Sequence, residues 1–381
     1  MKSCVGDSMI TILHIAPNLK PGGPAQMAAD LACALQHTGA TRNIVLSPAN
    51  ELVSRIIRAK AEHRLCRVPS LFNISAEIDR LKTILRKLRP DAIQVYSPLA
   101  SFMVRRACKA FKKNERPPCF GVITSYPNSC LFIQSYKYCV GLGCGAWHLR
   151  KLLLTKGFKT RKLDLLHIPY GVNEHQCNPQ FCPSTDKMAQ WKARHPESIG
   201  KFTLCIPGAI TPLHGLEDLI PILTSLLKQG IATHAYIAGD TRKADATYVK
   251  KLQDAYAESS LAEHISWIGA RPDLREVLCT CDVTLSLAHH PSTCDRPVLE
   301  ALALGRPVIG YDHGIVGELL EVFLPEGRVK PHDTAAITDI LSQWHMYSPS
   351  TVTSIPYPYR LSDTAAEFLK MYRKHIKTNE T

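Results

Sequence analysis

The chain has 381 residues, of which 45% are hydrophobic and 21% charged, enough for two domains with separate cores and unlike a disordered chain. No apolar run approaches the roughly 18 to 20 residues that cross a bilayer. The net charge of +13 is uneven: residues 1–172 hold 26 Lys+Arg against 9 Asp+Glu, and the remainder holds 20 against 24.

Lys2 and a short apolar stretch, residues 9–16, open the chain. The stretch ends at Pro17 in a Gly/Pro turn without a small-residue cleavage site, so it reads as a first strand and the expected compartment is the cytoplasm. The turn Pro21-Gly22-Gly23-Pro24 leads into a helix over 25–36, and 43–46 is a second strand. In 78–89, Leu81, Ile84, Leu85 and Leu88 recur at helical spacing while Arg80, Lys82, Arg86, Lys87 and Arg89 cover the other face. A strand at 92–96, a helix at 101–113 and a strand at 120–124 follow, with a second basic cluster at Arg105, Arg106, Lys109, Lys112, Lys113 and Arg116.

A solvated surface accounts for either basic helix alone, but the excess over the whole first half favours polyanion attraction. No nucleic-acid module is present and no aromatics interleave with the basic runs, so an anionic membrane surface is the expected partner and nucleic acid is not.

Residues 173–200 are polar and proline-rich and read as a linker. Beyond them the alternation resumes: strands at 202–207, 235–239, 265–268, 283–287 and 308–311, helices at 215–229, 248–259, 274–279 and 298–304. The pattern predicts an α/β protein with two Rossmann-like doubly wound domains, 1–172 and 201–358, facing a central cleft, and a closing segment at 359–381. Ligands of such open sheets bind beyond the carboxyl ends of the strands.

Four clusters fall at those ends. Gly22 and Gly23 open a helix where backbone N–H groups suit a phosphate, although a plain tight turn explains them equally. In the loop 208–215, Gly208 and His214 are candidates for diphosphate contact, with a solvent-facing histidine as the even alternative. Gly239-Asp240 precedes Arg242 and Lys243, which suit an anionic ligand or simple solvation. The fourth runs from His289 to Tyr311, with Ser292, Arg296, Glu300 and Pro307. Glu300, early in a helix, suits both hydroxyls of a ribose, with a helix-capping or exposed carboxylate as the alternative. The fourteen cysteines are scattered, with no Cys-x-x-Cys pair and no His/Cys grouping at zinc spacing, so no metal is expected.

The run from Leu299 through Glu300, Gly305-Arg306-Pro307 and Gly314 to Glu318 resembles retaining glycosyltransferases of family 4, nearest to bacterial lipopolysaccharide-biosynthesis members of the GT-B fold. Weaker echoes lie in the N-terminal Gly-Gly turn, residues 167–173, residues 269–278 and a terminal helix at 361–376 that in this fold returns to the first domain. The resemblance implies a nucleotide-sugar donor bound by the second domain and an acceptor held mainly by the first, with retention at the anomeric carbon and no metal or other cofactor. It also implies that Glu300 holds the ribose, that Gly22 and Gly23 face the diphosphate, and that the Pro307 and Gly314 segments shape the donor pocket.

Four positions depart from the family. Ser292 stands where its first glutamate is expected, Ala209 and His214 where an Arg and a Lys neutralise the diphosphate, and Tyr126 where a first-domain His is expected. Losing one preorganised charge typically costs about 10² to 10³ in rate. The resemblance and the basic first half make the expected function transfer of a sugar to a lipid-linked or lipopolysaccharide-type acceptor at the inner face of the cytoplasmic membrane. His214 and Ser292 are then the catalytic candidates. The alternative is a catalytically inactive glycosyltransferase-fold binding or scaffold subunit.

Overall fold

The computed structural model describes residues 9–16, 19, 23–67, 73–126, 134–157, 163–347 and 359–376. The chain divides into two compact units, Met1–Gly171 with Tyr357–Thr381, and Val172–Pro356. Each is a parallel-sheet, Rossmann-like α/β domain.

In the first unit seven parallel strands lie in the order β3-β2-β1-β4-β5-β6-β7. They are β1 (Ile10–Ile15), β2 (Thr41–Ser47), β3 (Glu62–Leu65), β4 (Ala92–Val95), β5 (Cys119–Ile123), β6 (Gly141–Cys144) and β7 (Asp164–His167). The central strands are buried, as parallel strands covered on both faces require. Their core joins Ile12, Leu31, Val45 and Phe120 to Phe368 and Tyr372 of the closing helix Leu361–His375.

β3, β6 and β7 escape the sequence pattern. β3 reads Glu-His-Arg-Leu because it is a half-exposed edge. β6 carries two glycines because the closing helix lies on it: a Cβ at Gly141 would meet Met371 Sδ at 2.7 Å, and one at Gly143 would meet Phe368 Cζ at 2.7 Å. The backbone must be bare for the helix to seat.

The second unit repeats the winding with six parallel strands in the order β10-β9-β8-β11-β12-β13. These are β8 (Phe202–Pro207), β9 (Thr233–Ala238), β10 (Ile265–Trp267), β11 (Val283–Ser286), β12 (Val308–Tyr311) and β13 (Arg328–Val329). The order reverses between β8 and β11, which makes that the switch point where ligands of open sheets bind. The core is aliphatic, centred on Leu204, Leu223, Leu226, Leu285 and Ile309.

The segment expected as a linker is structured and belongs to this unit. It holds the helix Thr185–Arg194, capped by the Ser184 hydroxyl. Its Trp191 is buried edge-on against Tyr236 of β9, with ring centroids 5.1 Å apart. Lys187 pairs with Glu276 at 2.6 Å. One buried aromatic is enough to dock a helix that is otherwise mostly exposed, and so periodicity does not reveal it.

Candidate functional site

The carboxyl ends of β8, β9, β11 and β12 bring most of the expected residues of the second unit together. After β8 the chain makes a short turn, Pro212–His214, before the helix Leu219–Lys228. His214 Nδ1 is 2.8 Å from the Thr211 hydroxyl. Burial lowers its pKa, which favours the neutral ring, so His214 offers a hydrogen bond rather than the charge of a lysine. Gly208 lies beside that ring, and Gly239 at the end of β9 packs directly on the Gly208 carbonyl.

Beyond Gly239, Arg242 and Lys243 are turned onto Asp240. Arg242 Nε donates to Oδ1 at 3.0 Å and its Nη2 to Oδ2 at 3.3 Å, and Lys243 Nζ lies 3.5 Å from Oδ2. The Arg242 guanidinium holds the Asp240 carboxyl below its usual range. One of the two basic charges is thus cancelled locally.

The loop after β11 is fixed at both ends. The His289 amide donates to the Leu213 carbonyl at 2.9 Å, joining it to the β8 loop. At the other end Asp295 caps the helix Arg296–Ala303 by accepting from the Val298 amide at 3.2 Å, with Pro297 in the first turn. Burial raises the Asp295 pKa. Ser292 sits between, its hydroxyl buried without a hydrogen-bond partner, and its carbonyl accepts from the Ile315 amide at 3.0 Å. Gly314 makes that approach possible: its φ is +58°, and a Cβ there would meet both the nitrogen and the oxygen of Ser292 at 2.7 Å.

Glu300 is buried, one turn into the helix, and its Oε1 accepts from Arg296 Nε at 2.5 Å. Two expected ligand-binding residues are therefore each other's partner.

Pro307 is not part of this group. Its carbonyl accepts from the Thr284 amide near the start of β11, so it lies at the amino end of β12, on the opposite edge of the sheet from the loops. A helix eight residues long carries the chain across that distance, which adjacency in sequence conceals. In the first unit, Gly23 starts the helix Gly23–His37 with φ +49°, and Gly22 falls outside the described residues. Tyr126, beyond β5, has its hydroxyl hydrogen-bonded to His148 Nε2.

The sequence reading misses a polar hub on the same edge. Asp218 Oδ2 receives the Tyr311 hydroxyl and lies 2.8 Å from His289 Nε2, and the His332 ring stands 4.4 Å from that of His289. These residues come from beyond β8, β11 and β13 and from the last position of β12, and no spacing rule connects them.

Residues 187–345 match the family model of glycosyl transferases group 1. That match spans the second unit's helix Thr185–Arg194 through Thr334–Met346 almost completely. No curated protein matches the chain in sequence.

Among solved structures, a glycosyltransferase from Rickettsia africae ESF-5 superposes with a TM-score of 0.83 at 16% identity, covering 98% of this chain and all of that one. Anabaena Alr3699/HepE in complex with UDP-glucose gives 0.81 at 15%, over 96% of this chain and 100% of that one. The lipopolysaccharide outer core galactosyltransferase WaaB gives 0.67 at 11%, over 96% and 100%. The two Rossmann-like domains match glycosyltransferase structures of the GT-B fold, and with the family match they support a glycosyl transfer function.

Proposed function

We propose that the protein transfers a sugar from a nucleotide-sugar donor to a lipid-linked or lipopolysaccharide-type saccharide, with retention at the anomeric carbon. The observation that carries the reading is the group 1 glycosyl transferase match over 187–345, on the edge that assembles Gly208, His214, Gly239, Ser292, Arg296, Glu300 and Gly314. Anabaena Alr3699/HepE, of the same fold, was solved with UDP-glucose, which supports a nucleotide sugar as donor.

In the reaction the bond between the anomeric carbon and the diphosphate oxygen breaks, a bond to an acceptor hydroxyl oxygen forms, and the hydroxyl proton passes to the departing diphosphate. Glu300 is assigned the ribose hydroxyls once it exchanges Arg296 for them. Arg296, then released, together with Arg242 and Lys243, is assigned the diphosphate. His214 donates a hydrogen bond to the leaving oxygens. No metal or cofactor is required for these steps. The acceptor class rests on the basic first 172 residues and on likeness to WaaB. The same charge supports peripheral association with an anionic membrane, at its cytoplasmic face. No helix among the described residues is long and apolar enough to cross it.

A second reading, a catalytically inactive binding subunit, is favoured by a specific observation: the Arg296–Glu300 pair closes the carboxylate that the donor would use. A thermal-shift panel of nucleoside diphosphates and their sugars separates the two. A saturable shift that Glu300→Ala abolishes, followed by donor hydrolysis or transfer, supports the enzyme. Silence across the panel removes the donor site altogether. A shift without turnover on any acceptor supports the inactive form.

A further inference from the structure

We propose that Asp218, His289 and His332 form a binding site for a divalent metal ion of the Zn²⁺ class. They hang from three different strand ends of the second sheet, beyond β8, β11 and β13, and one ligand atom from each lies within 4.8 Å of the others. Asp218 Oδ2 and His289 Nε2 are 2.8 Å apart, and the two imidazoles face each other at 4.4 Å with their planes 55° apart. Donors around a tetrahedral zinc, with bonds of about 2.0 to 2.2 Å, are roughly 3.3 Å apart. The Asp218–His289 donors, at 2.8 Å, lie just inside that value, and the three ligand atoms all fall within 4.8 Å of one another, so small side-chain adjustments bring them onto one ion.

The donor types select the ion. Two imidazoles and one carboxylate suit zinc and its late-transition neighbours, and magnesium or calcium far less, since those prefer an all-oxygen shell. The hub also holds the outer contact such sites use. The Tyr311 hydroxyl donates to the Asp218 carboxylate and fixes its orientation. The backbone holds His289 in place, through the hydrogen bond its amide donates to the Leu213 carbonyl and the packing of Gly215 against its ring.

His332 supplies an independent observation. It is one of four non-glycine residues described with positive φ, at +66°. Glycine would relieve that strain, yet the position carries an imidazole aimed at a second histidine and a carboxylate. It is exposed, which gives an ion a way in, and three protein donors leave a fourth position for water or a ligand.

The proposal is independent of the transfer reading, because its test measures binding. Chelator-treated full-length protein is titrated with Co²⁺, and the visible d–d absorption of tetrahedral cobalt is followed, with displacement by Zn²⁺ as the check. The wild type should take up one ion with the imidazole–carboxylate spectrum and gain thermal stability from Zn²⁺, with little response to Mg²⁺. His332→Gly should weaken binding at least about tenfold while its metal-free melting temperature is equal or higher, because glycine accepts the same φ. Asp218→Asn should weaken it likewise. Absence of the cobalt spectrum in the wild type overturns the site, as does a spectrum of thiolate character or one that persists unchanged in His332→Gly and Asp218→Asn.

Discussion

Arg296 and Glu300 satisfy each other across one turn of the helix Arg296–Ala303, guanidinium Nε to carboxylate Oε1 at 2.5 Å. The arginine side chain is 28% exposed and the glutamate 12%, so water reaches one partner and barely the other. A donor that binds Glu300 must therefore displace the arginine, and that exchange lowers affinity unless the freed guanidinium finds a phosphate. Glu300→Ala is expected to destabilise the unit by about 1 kcal/mol or less, since the released arginine is solvated. The same variant should lose the thermal shift given by nucleoside diphosphates. Urea denaturation with and without nucleotide measures both, and an undiminished shift sinks the ribose assignment.

Gly314→Ala makes a different demand on the site. The added methyl would sit 2.7 Å from two backbone atoms of Ser292, in a left-handed conformation. The backbone strain alone is worth about 1 to 2 kcal/mol, and overpacking adds about 1 to 3 more. A total loss of about 2 to 5 kcal/mol is expected in denaturant, with donor binding reduced because the Ser292 loop must move. A stability within experimental error of wild type would show that the two loops are not seated on each other.

How much of this is legible in the sequence depends on whether the deciding contact is local. The helix that begins at Gly23, the cap at Asp295 and the helix bearing Glu300 are local, and the residue order announces them. The ranges 202–207 and 308–311 are read correctly because buried parallel strands are continuous apolar runs. β6 is invisible because its glycines answer to Met371 and Phe368, more than 200 residues away. Pro307 is misplaced for the converse reason: it is near Glu300 in sequence but at the other edge of the sheet. The hub of Asp218, His289, Tyr311 and His332 needs the strand order itself, β8-β11-β12-β13, before its members become neighbours.

Two buried histidines predict how the protein responds to acid. His14, in β1, lies between Tyr96 and Asn43, and His234, in β9, lies against Ser266. Burial drives each pKa from 6.5 down to about 4. Each ring stays neutral in the folded state but binds a proton when unfolded below about pH 6.5. The unfolded state then holds more protons, so stability falls as pH drops from about 6.5 to about 4 and is fully present above that window. At 1.36 kcal/mol per pH unit, each contributes a loss on the order of 3 kcal/mol. His14→Gln should flatten the decline in the first unit and leave that of the second. Melting curves between pH 7 and 4 test this, and a parallel decline in both proteins would discount His14.

The closing helix gives the most direct test of the first unit's architecture. Phe368 is fully buried, and its ring tip would collide with any Cβ at Gly143, while Tyr372 donates to Gln94 Oε1 of β4 at 2.7 Å. Phe368→Ala removes a ring from a close-packed core over a backbone with no side chain to collapse into the space. The expected cost is about 3 to 5 kcal/mol, at the full value for such truncations because glycines line the cavity. Tyr372→Phe keeps the packing and removes one hydrogen bond, leaving the buried Gln94 acceptor short of a donor, at about 1 to 3 kcal/mol. Because both contacts belong to one unit, hydrogen exchange should show protection lost in β4, β5 and β6 and retained in β8, β11 and β12. Loss of protection spread evenly over both sheets would mean that the helix does not serve the first unit alone.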